Sequence, residues 1–538
     1  MGPIDHPSAG IATIPGSTSA VEGFVGVRKQ PFLAFVFNEK SNRRFLWIAL
    51  IGSVAQLILF KLCYPFPDFM SDSYNYIESA ALHLNANIWP VGYAKFLSFI
   101  HQISYSDTLL VTIQYLLVQL SLLYFFYTVK YLYKPSPLTV KIQFIALFFN
   151  PASLYLSNSV LSDALFGSIT IVWFSILLWQ LTSPTRTGLL LQVILMGIAF
   201  TIRYTAIYYP LVAAIVLLIS PMWRWEKIAW MVAPALLFIP FIHFTQLQTK
   251  AVTGTAEFSV FGGWQIANNA LYMYGHIQVD SSKLPQETRD LDRMVKQYYK
   301  WAPPGYINLA EFDGTFFIKH PEAPLKQYMF RHYKKEHDSN VFLGWGKVSP
   351  MYNKYGTWLI SHYPLAFAHY YLWLNTKNYF SPFLAQQGLY NLGEDSVWNY
   401  AQYWFHYPTP RVRSISKELQ GAIFFSYPPI FLVLNFYFAG CLIWLGLTRK
   451  FRLLEPIFKK VLLLLMGFIV INFSFSILAT PVVLRYEVIP MLFLFTFSTL
   501  LLEFTDLNKR ILLDETSEKQ IRHSIHLSSA EFTERKPR

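Results

Sequence analysis

The chain has 538 residues, of which 54% are hydrophobic and only 14% are charged. Soluble proteins carry about 25% charged residues, so this composition excludes an ordinary soluble globular protein. The net charge of +13 does not indicate nucleic-acid binding. The Lys and Arg residues gather between apolar segments, as they do in the cytoplasmic loops of membrane proteins.

Apolar runs of roughly 18 to 25 residues recur along the chain, the length that a helix needs to cross a hydrocarbon core about 30 Å thick. Backbone groups in lipid must form their hydrogen bonds internally, so these runs are expected to be helices. The pattern predicts an all-α polytopic membrane protein with about ten transmembrane helices. The predicted spans are residues 45–64, 108–132, 138–156, 161–181, 187–202, 204–220, 228–248, 424–447, 459–479 and 483–503.

Basic residues mark every second connection between these spans, which predicts that those connections are cytoplasmic. Both termini are then cytoplasmic, and the connections on the outer face are residues 65–107, 157–160, 249–423 and 480–482. The junction at Arg203 between the fifth and sixth spans is short, so one long or broken helix is the alternative there.

The spans divide the chain into five parts, two of which are tails outside the membrane. These parts are a disordered cytoplasmic tail at 1–44, a core of helices 1–7 at 45–248 with the outer loop 65–107, a mixed outer-face segment between helices 7 and 8 at 249–423, helices 8–10 at 424–503, and a cytoplasmic tail at 504–538.

Two acidic residues, Asp68 and Asp72, follow the first span at the outer membrane edge. Residues 73–86 have apolar positions at helical spacing, which predicts a short interfacial helix capped by Asp72 or Ser73. A cap gives Asp68 no role, so a catalytic interpretation stands beside it. If the segment is helical, the two carboxylates share one face, and like charge with partial burial raises the pKa of one of them.

Three further charged residues are expected at the outer ends of spans. Asp163 opens the fourth span, where a carboxylate also complements the helix dipole. Arg203 and Arg485 lie on the side where the charge rule makes Arg scarce. The structural alternative for both arginines is snorkelling, or pairing with an acid such as Glu487. Ionisable groups gathered at one membrane level favour a functional site.

Five short motifs carry these residues: Ser71-Asp72-Ser73 with Tyr76, Pro90-Val91-Gly92-Tyr93, Ser162-Asp163-Ala164-Leu165-Phe166, Ile202-Arg203-Tyr204 and Leu484-Arg485-Tyr486. In layout, the chain resembles the GT-C glycosyltransferases over residues 45–503, especially the bacterial branch similar to protein O-mannosyltransferases and lipid A aminoarabinose transferase. It departs from the mannosyltransferases because Asp68 and Asp72 stand in place of their paired Asp-Glu motif.

The resemblance implies an enzyme of a bacterial inner membrane that moves a sugar from a polyprenyl-phosphate donor to a glycan, lipid or protein acceptor. Such a donor has a good leaving group, so the enzyme needs a base for the acceptor hydroxyl and cations for the released phosphate. The expected site residues are the base Asp72 with its partner Asp68, and the substrate-binding residues Arg485, Arg203, Asp163 and Tyr76.

No cofactor is expected, because the chain lacks a P-loop and a dinucleotide-binding turn, and its histidines lack the spacing of a zinc helix motif. Oxygen ligands such as those of Asp68 and Asp72 suit Mg or Mn, so a divalent cation remains an alternative.

The outer segment offers weaker signals. Gly262-Gly263 is expected to be a turn. Trp264, Asn268 and Asn269 are expected to be interfacial anchors and caps rather than sugar contacts. Residues 358–373 predict an aromatic interfacial helix interrupted by Pro364.

Two other classes of protein stay open. A secondary transporter also has many spans, but transporters often show internal repeats and charges near the bilayer centre. This sequence has no convincing repeat, and its acids cluster at the outer edge. The remaining class is a noncatalytic or ligase-type assembly protein of the cell envelope with a large outer loop.

Overall fold

The computed structural model describes residues 30–301, 313–333 and 341–504. The described residues are 78% helical and contain no strand, so the all-α prediction is confirmed. Most of the predicted amino-terminal tail and nearly all of the carboxy-terminal tail lie outside the described residues.

The helices of the amino-terminal half, in chain order, are α1 Phe32–Asn38, α2 Lys40–Cys63, α3 Ser71–Ala81, α4 Gly92–Ile103, α5 Asp107–Tyr133, α6 Pro137–Phe148, α7 Pro151–Asn158, α8 Asp163–Thr182, α9 Arg186–Ile202, α10 Tyr209–Ile219, α11 Arg224–Val232 and α12 Ala235–Thr253. A 3-10 turn at Tyr204–Tyr208 joins α9 to α10.

The helices of the carboxy-terminal half are α13 Val260–Tyr274, α14 Arg289–Trp301, α15 Phe316–Lys319, α16 Pro324–Tyr333, α17 Val341–His362, α18 Pro364–Phe367, α19 Trp373–Phe380, α20 Asn399–Trp404, α21 Leu419–Phe424, α22 Tyr427–Leu447, α23 Pro456–Ala479 and α24 Leu484–Phe504. A π-helical turn at Ala368–Leu372 joins α18 to α19. Short 3-10 turns lie at Gln286–Thr288, Ala385–Gly388, Tyr390–Gly393 and Lys450–Leu453.

Among the described residues, seven helices have the length and the composition needed to cross a membrane. They match seven of the ten predicted spans and are compatible with a multi-pass integral membrane protein. The seven are Lys40–Cys63, Asp107–Tyr133, Asp163–Thr182, Arg224–Thr253, Leu419–Leu447, Pro456–Ala479 and Leu484–Phe504. The fifth and sixth predicted spans are the shorter apolar helices Arg186–Ile202 and Tyr204–Ile219.

The third predicted span, residues 138–156, is divided by a break. Helix α6 ends at Phe148, and Asn150 begins α7 by accepting a hydrogen bond from the backbone N–H of Ala152. Pro151 follows in the first turn of α7, where its missing N–H costs nothing. An Asn-Pro pair therefore starts a new helix within the apolar run.

The chain also breaks at Arg203, as the alternative for this junction predicted. The Arg203 backbone is extended, with φ of −145° and ψ of 128°, so α9 ends there and the 3-10 turn begins. Arg203 therefore lies between the two helices, and its side chain donates to Asp163 at the start of α8.

Three hydrophobic clusters organise the interior. The largest fills the helix bundle around α5, α8, α23 and α24. A second cluster fills the outer segment between α13, α16 and α17. The third joins α3 and α4 to α20 and to the start of α8. Side chains of α3 and α8 thus contribute to the third cluster at the level where α8 and α24 begin.

The outer segment is built on close contact between α13 and α17. The expected turn at Gly262-Gly263 is wrong, because both glycines lie inside α13. A Cβ atom on Gly263 would lie 2.0 Å from the carbonyl oxygen of Ser349, so glycine is needed where two helix backbones touch. The interruption at Pro364 is confirmed, since α17 ends at His362 and Pro364 begins α18.

Candidate functional site

Helix ends place four charged side chains together. Asp72 lies in the first turn of α3, and Asp163 is the first residue of α8. Arg203 ends α9, and Arg485 is the second residue of α24. Polar side chains at helix ends avoid the apolar middle of a bundle, so residues far apart in sequence meet at one level.

Ion pairs link all four residues. The Nη2 atom of Arg485 donates to Oδ2 of Asp72 at 3.0 Å, and its Nη1 atom lies 3.5 Å from Oδ2 of Asp163. Arg203 donates to the other oxygen of Asp163 at 2.5 Å. The four side chains are between 5% and 18% exposed. Two carboxylates and two guanidinium groups therefore form one nearly buried network, with Asp163 bridging the arginines.

Aromatic rings support the two guanidinium groups. The Tyr486 ring lies 4.9 Å from the Arg203 guanidinium and 5.2 Å from that of Arg485. Phe166 lies 5.5 Å from the guanidinium of Arg203. Such cation–π contacts favour a charged group that has lost its water. Both guanidinium groups therefore lie against aromatic rings as well as carboxylates.

Tyr76 lies beside the network without joining it. Its hydroxyl is 3.2 Å from Oγ of Ser162, the residue before Asp163. The Tyr76 side chain is buried, and burial raises the pKa of its hydroxyl, so it stays protonated. Tyr76 therefore acts as a neutral hydrogen-bonding group at this level.

The raised pKa expected for one of the two acids is not that of Asp72. Burial raises the pKa of a carboxyl, but here the positive charges of Lys319 and Arg485 outweigh burial and hold the pKa of Asp72 below its ordinary value. Of the two residues expected to cap the helix, Ser73 takes part in capping, because its hydroxyl accepts from the N–H of Met70, the residue before α3. The Asp72 side chain does not cap the helix and pairs with Arg485 instead.

Asp68 lies outside the helix that carries Asp72, since α3 begins at Ser71. The predicted shared helical face therefore does not form. The Asp68 carboxylate accepts from the backbone N–H of Asn391 at 2.8 Å and from Nε2 of Gln420 at 3.2 Å. Burial raises its pKa to about 6, and these hydrogen bonds offset only part of that rise. Burial, not a neighbouring carboxylate, is the main cause.

A strained loop lies against these acids. Ala385, Asn391 and Leu392 have φ values of 48°, 48° and 55°, in the left-handed region that non-glycine residues rarely adopt. Gln386 of this loop donates to the Ser71 hydroxyl at 2.9 Å. The loop therefore contacts the chain before Asp72 at two points, Ser71 and Asp68. Nothing in the sequence signals these contacts, because they join residues more than 300 positions apart.

Other sequence expectations concern residues away from the network. Trp264, Asn268 and Asn269 are buried in α13 and donate to backbone carbonyls. The expected interfacial anchors are therefore wrong, although Asn269 does cap a helix by donating to the last carbonyls of α23. Glu487 is not the partner of Arg485. Both oxygens of the Glu487 carboxyl are buried and have no hydrogen-bond partner among the described residues.

The sequence leaves a divalent-cation site at Asp68 and Asp72 as an alternative. No group of three or more His, Cys, Asp or Glu side chains in the described part of the chain is arranged to hold a metal ion. Asp68 and Asp72 turn to different partners, Asn391 and Arg485 respectively. Two arginines and two carboxylates thus meet at one level of helix ends as an ion-pair network.

No family model matches this chain, and no curated protein and no solved structure is similar enough to count as a match. The network of Asp72, Asp163, Arg203 and Arg485 therefore carries the functional argument by its own chemistry.

Proposed function

We propose that this protein is a glycosyltransferase that moves a sugar from a polyprenyl-phosphate donor to an acceptor at the outer face of a membrane. The observation that supports the proposal is the buried network in which Arg485 bridges Asp72 and Asp163. Such a network holds a carboxylate for proton removal beside cations for a phosphate leaving group, the two groups that this reaction needs.

In the proposed mechanism, the donor phosphate competes with Asp72 for Arg485. A guanidinium holds two oxygens at once, so it can pass from a carboxylate to a phosphate without losing its hydrogen bonds. Once Asp72 loses its cation, its pKa rises toward the ordinary range and the carboxylate becomes a better base. Binding of the donor thus activates the base.

Asp72 then accepts the proton of the acceptor hydroxyl as the acceptor oxygen forms a bond to the anomeric carbon. The bond from that carbon to the phosphate oxygen breaks, and its electron pair leaves with the polyprenyl phosphate. Arg485 and Arg203 stabilise the charge that grows on the phosphate. Asp163 orients both arginines, and Tyr76 and Ser162 offer neutral hydroxyl groups for the sugar.

In this proposal, Asp68 is not a second catalytic acid. It binds Asn391 and Gln420, so it fixes the strained loop against the segment before Asp72. Asp68 is therefore a positioning residue that sets the place of the base.

The ion pairs also support a ten-span topology, because each helix that crosses the membrane takes the chain to the opposite face. One long helix, α5, lies between Asp72 and Asp163, so α6 and α7 must return the chain. Helix α8 follows Asp163, so α9 must return the chain to Arg203. Three long spans lie between Arg203 and Arg485, and α10 has to supply the fourth crossing.

The basic connections support a topology with both termini in the cytoplasm and the ion pairs at the outer surface. A bacterial inner membrane, with a glycan, lipid or protein as the acceptor, fits this arrangement. Asp68 and Asp72 offer oxygen ligands, and a divalent cation that joins with the donor phosphate is the alternative to catalysis without metal.

The test is transfer of a radiolabelled sugar from a polyprenyl-phosphate donor to cell-envelope acceptors by the purified protein in lipid. We expect Asp72→Asn to lower turnover by about 100- to 10,000-fold, because the amide cannot accept the proton. Glu78→Gln is the matched control, since Glu78 lies on the same helix, half-buried, outside the network. It should keep the activity of the wild type.

Two results would contradict the proposal. One is turnover within a few fold of wild type in folded Asp72→Asn protein, which removes Asp72 as the base. The other is uptake of a labelled solute into proteoliposomes with no transfer of sugar, which identifies a secondary transporter instead.

A further inference from the structure

A third positive charge acts on the network. Arg203 and Arg485 balance the charges of Asp72 and Asp163. The positive charge of Lys319 also acts on Asp72, although Lys319 has no hydrogen bond or ion pair through its side chain within the described part of the chain. Lys319 therefore adds a third positive charge near the two carboxylates of the network.

Close packing fixes the segment that carries Lys319. Gly314 lies so near Pro481 that a Cβ atom on it would come within 2.3 Å of the proline Cβ. The Gly314 carbonyl accepts hydrogen bonds from the Tyr272 hydroxyl at 2.9 Å and from Nδ2 of Asn268 at 3.0 Å. Pro481 lies four positions before Arg485, so the outer segment is docked beside the start of α24.

Burial directs the rest of this short helix inward. Phe316, Phe317 and Ile318 are each no more than 3% exposed, whereas the Lys319 side chain is half-buried. The packed turn therefore fixes the backbone of Lys319 near the start of α24.

We propose that Lys319 binds the phosphate of the polyprenyl-phosphate donor, as a third cation beside Arg485 and Arg203. This proposal rests on the proposed function and names a further residue of the same site. Without donor, Lys319 stabilises the ionised Asp72 through space. With donor, its ammonium donates to a phosphate oxygen while Arg485 leaves Asp72.

The chemistry of phosphate favours such a third cation. The released carrier is a phosphate monoester, which carries between one and two negative charges near neutral pH. The sugar-linked donor is a phosphate diester and carries less negative charge. Three cations suit the charge that develops as the sugar departs, so Lys319 stabilises the transition state and the released carrier more than the bound donor. We expect its loss to lower turnover as well as carrier affinity.

Binding of a polyprenyl phosphate without sugar tests the proposal on the full-length protein in lipid nanodiscs. The variants are Lys319→Gln, Lys319→Arg and Arg485→Ala, with Lys283→Gln as the matched control. Lys283 belongs to the same outer segment, and its side chain is 72% exposed and pairs with Asp280. An uncharged polyprenol of the same chain length serves as the second ligand.

A charge-assisted hydrogen bond corresponds to about a 10- to 100-fold change in affinity. Lys319→Gln should weaken binding of the phosphate by at least 10-fold and leave binding of the polyprenol unchanged. Lys319→Arg should restore most of the affinity, and Lys283→Gln should match the wild type. Excess phosphatidylglycerol in the nanodisc should not displace the ligand, which distinguishes the carrier phosphate from an ordinary headgroup.

Wild-type affinity in Lys319→Gln, together with weak binding in Arg485→Ala, would overturn the role of Lys319 and leave the proposed donor site intact. Equal loss of phosphate and polyprenol binding would also overturn it, because the contact would not be with phosphate. No binding of polyprenyl phosphate to the wild type would overturn the proposed function itself.

Discussion

At the scale of single residues, the partners of a carboxylate decide what it can do. Asp68 and Asp72 are both buried and lie four positions apart, yet their pKa values shift in opposite directions. Asp72 faces cations, whereas Asp68 faces only neutral donors from Asn391 and Gln420. One acid is thus kept ionised within an ion pair, and the other loses solvation without gaining a charge partner.

Asp68 should make stability depend on pH. Its pKa is raised from 3.8 to about 6 in the folded protein, so the folded state holds the proton more tightly than the unfolded state. The stabilising contribution is complete below pH 3.8 and is lost as the pH rises through about 6. The shift corresponds to about 3 kcal/mol.

The thermal unfolding of wild type and Asp68→Asn in detergent, at pH 4.5 and at pH 7.5, measures this contribution. The wild type should lose stability relative to Asp68→Asn at the higher pH. Asp280→Asn, which changes an acid that is 52% exposed, provides the control and should show no such pH-dependent difference. A difference between wild type and Asp68→Asn that stays constant with pH would contradict the prediction.

The sequence predicts the level of the charged residues better than their partners. The limits of an apolar run predict where a membrane helix begins and ends. Asp163 and Arg485 lie at such limits, so the sequence assigns them to helix ends. Which atoms then meet depends on how helices pack around each other. The pairing of Arg485 with Asp72 spans 413 positions, and the role of Lys319 depends on how the outer segment docks.

At the scale of helices, short breaks place side chains that continuous helices would hide. Asn150 begins a new helix within one apolar run, and Arg203 ends another. The sequence predicts a short junction at Arg203 between two apolar runs. The break at Asn150 lies inside a predicted span because the hydropathy pattern continues through Pro151, although the Asn-Pro pair is itself a turn signal.

The contact between α13 and α17 allows a direct test of close helix packing. A side chain at Gly263 would meet the backbone of Ser349, whereas a side chain at Gly262 would meet only Ser259, at an ordinary 3.7 Å. Gly263→Ala should therefore lower stability by about 1–3 kcal/mol, which is the usual cost of overpacking. Gly262→Ala, in the same helix, should be neutral or slightly stabilising because alanine favours helix.

Thermal unfolding of the two variants in the same detergent measures the difference. Equal melting temperatures would show that α13 and α17 separate at no cost, and the outer segment would then not be rigid. Because this segment also carries Lys319, Gly263→Ala should lower transfer activity as well, whereas Gly262→Ala should not.

At the scale of the whole molecule, the ion pairs and the number of crossings constrain each other. Asp72, Asp163, Arg203 and Arg485 lie at one level, so an even number of crossings separates each from the next. The seven long helices alone give odd numbers in every interval. The three remaining apolar segments, each broken or short, supply the missing crossings in the ten-span topology.

Labelling of single cysteines with a membrane-impermeant maleimide tests this topology. The background carries Cys63→Ser and Cys441→Ser, because both native cysteines are free thiols. Single cysteines are then introduced at Leu138, Arg186 and Lys300, whose side chains are exposed in the structure. Intact cells report the outer face, and inverted membrane vesicles report the cytoplasmic face.

The ten-span topology predicts that Lys300→Cys is labelled in intact cells, because the outer segment follows the seventh crossing. Leu138→Cys and Arg186→Cys should both be labelled only in inverted vesicles, since two crossings, the kinked pair α6 and α7 and then α8, separate them. Labelling of these two cysteines from opposite faces would mean that α6 and α7 do not cross. Asp72 and Asp163 would then lie on opposite sides of the membrane, and the ion pair through Arg485 could not form in the bilayer.

Labelling of Lys300→Cys only from the cytoplasmic face would show that the orientation is reversed. The donor would then have to be met on the cytoplasmic side, where the proposed outer-face transfer does not take place.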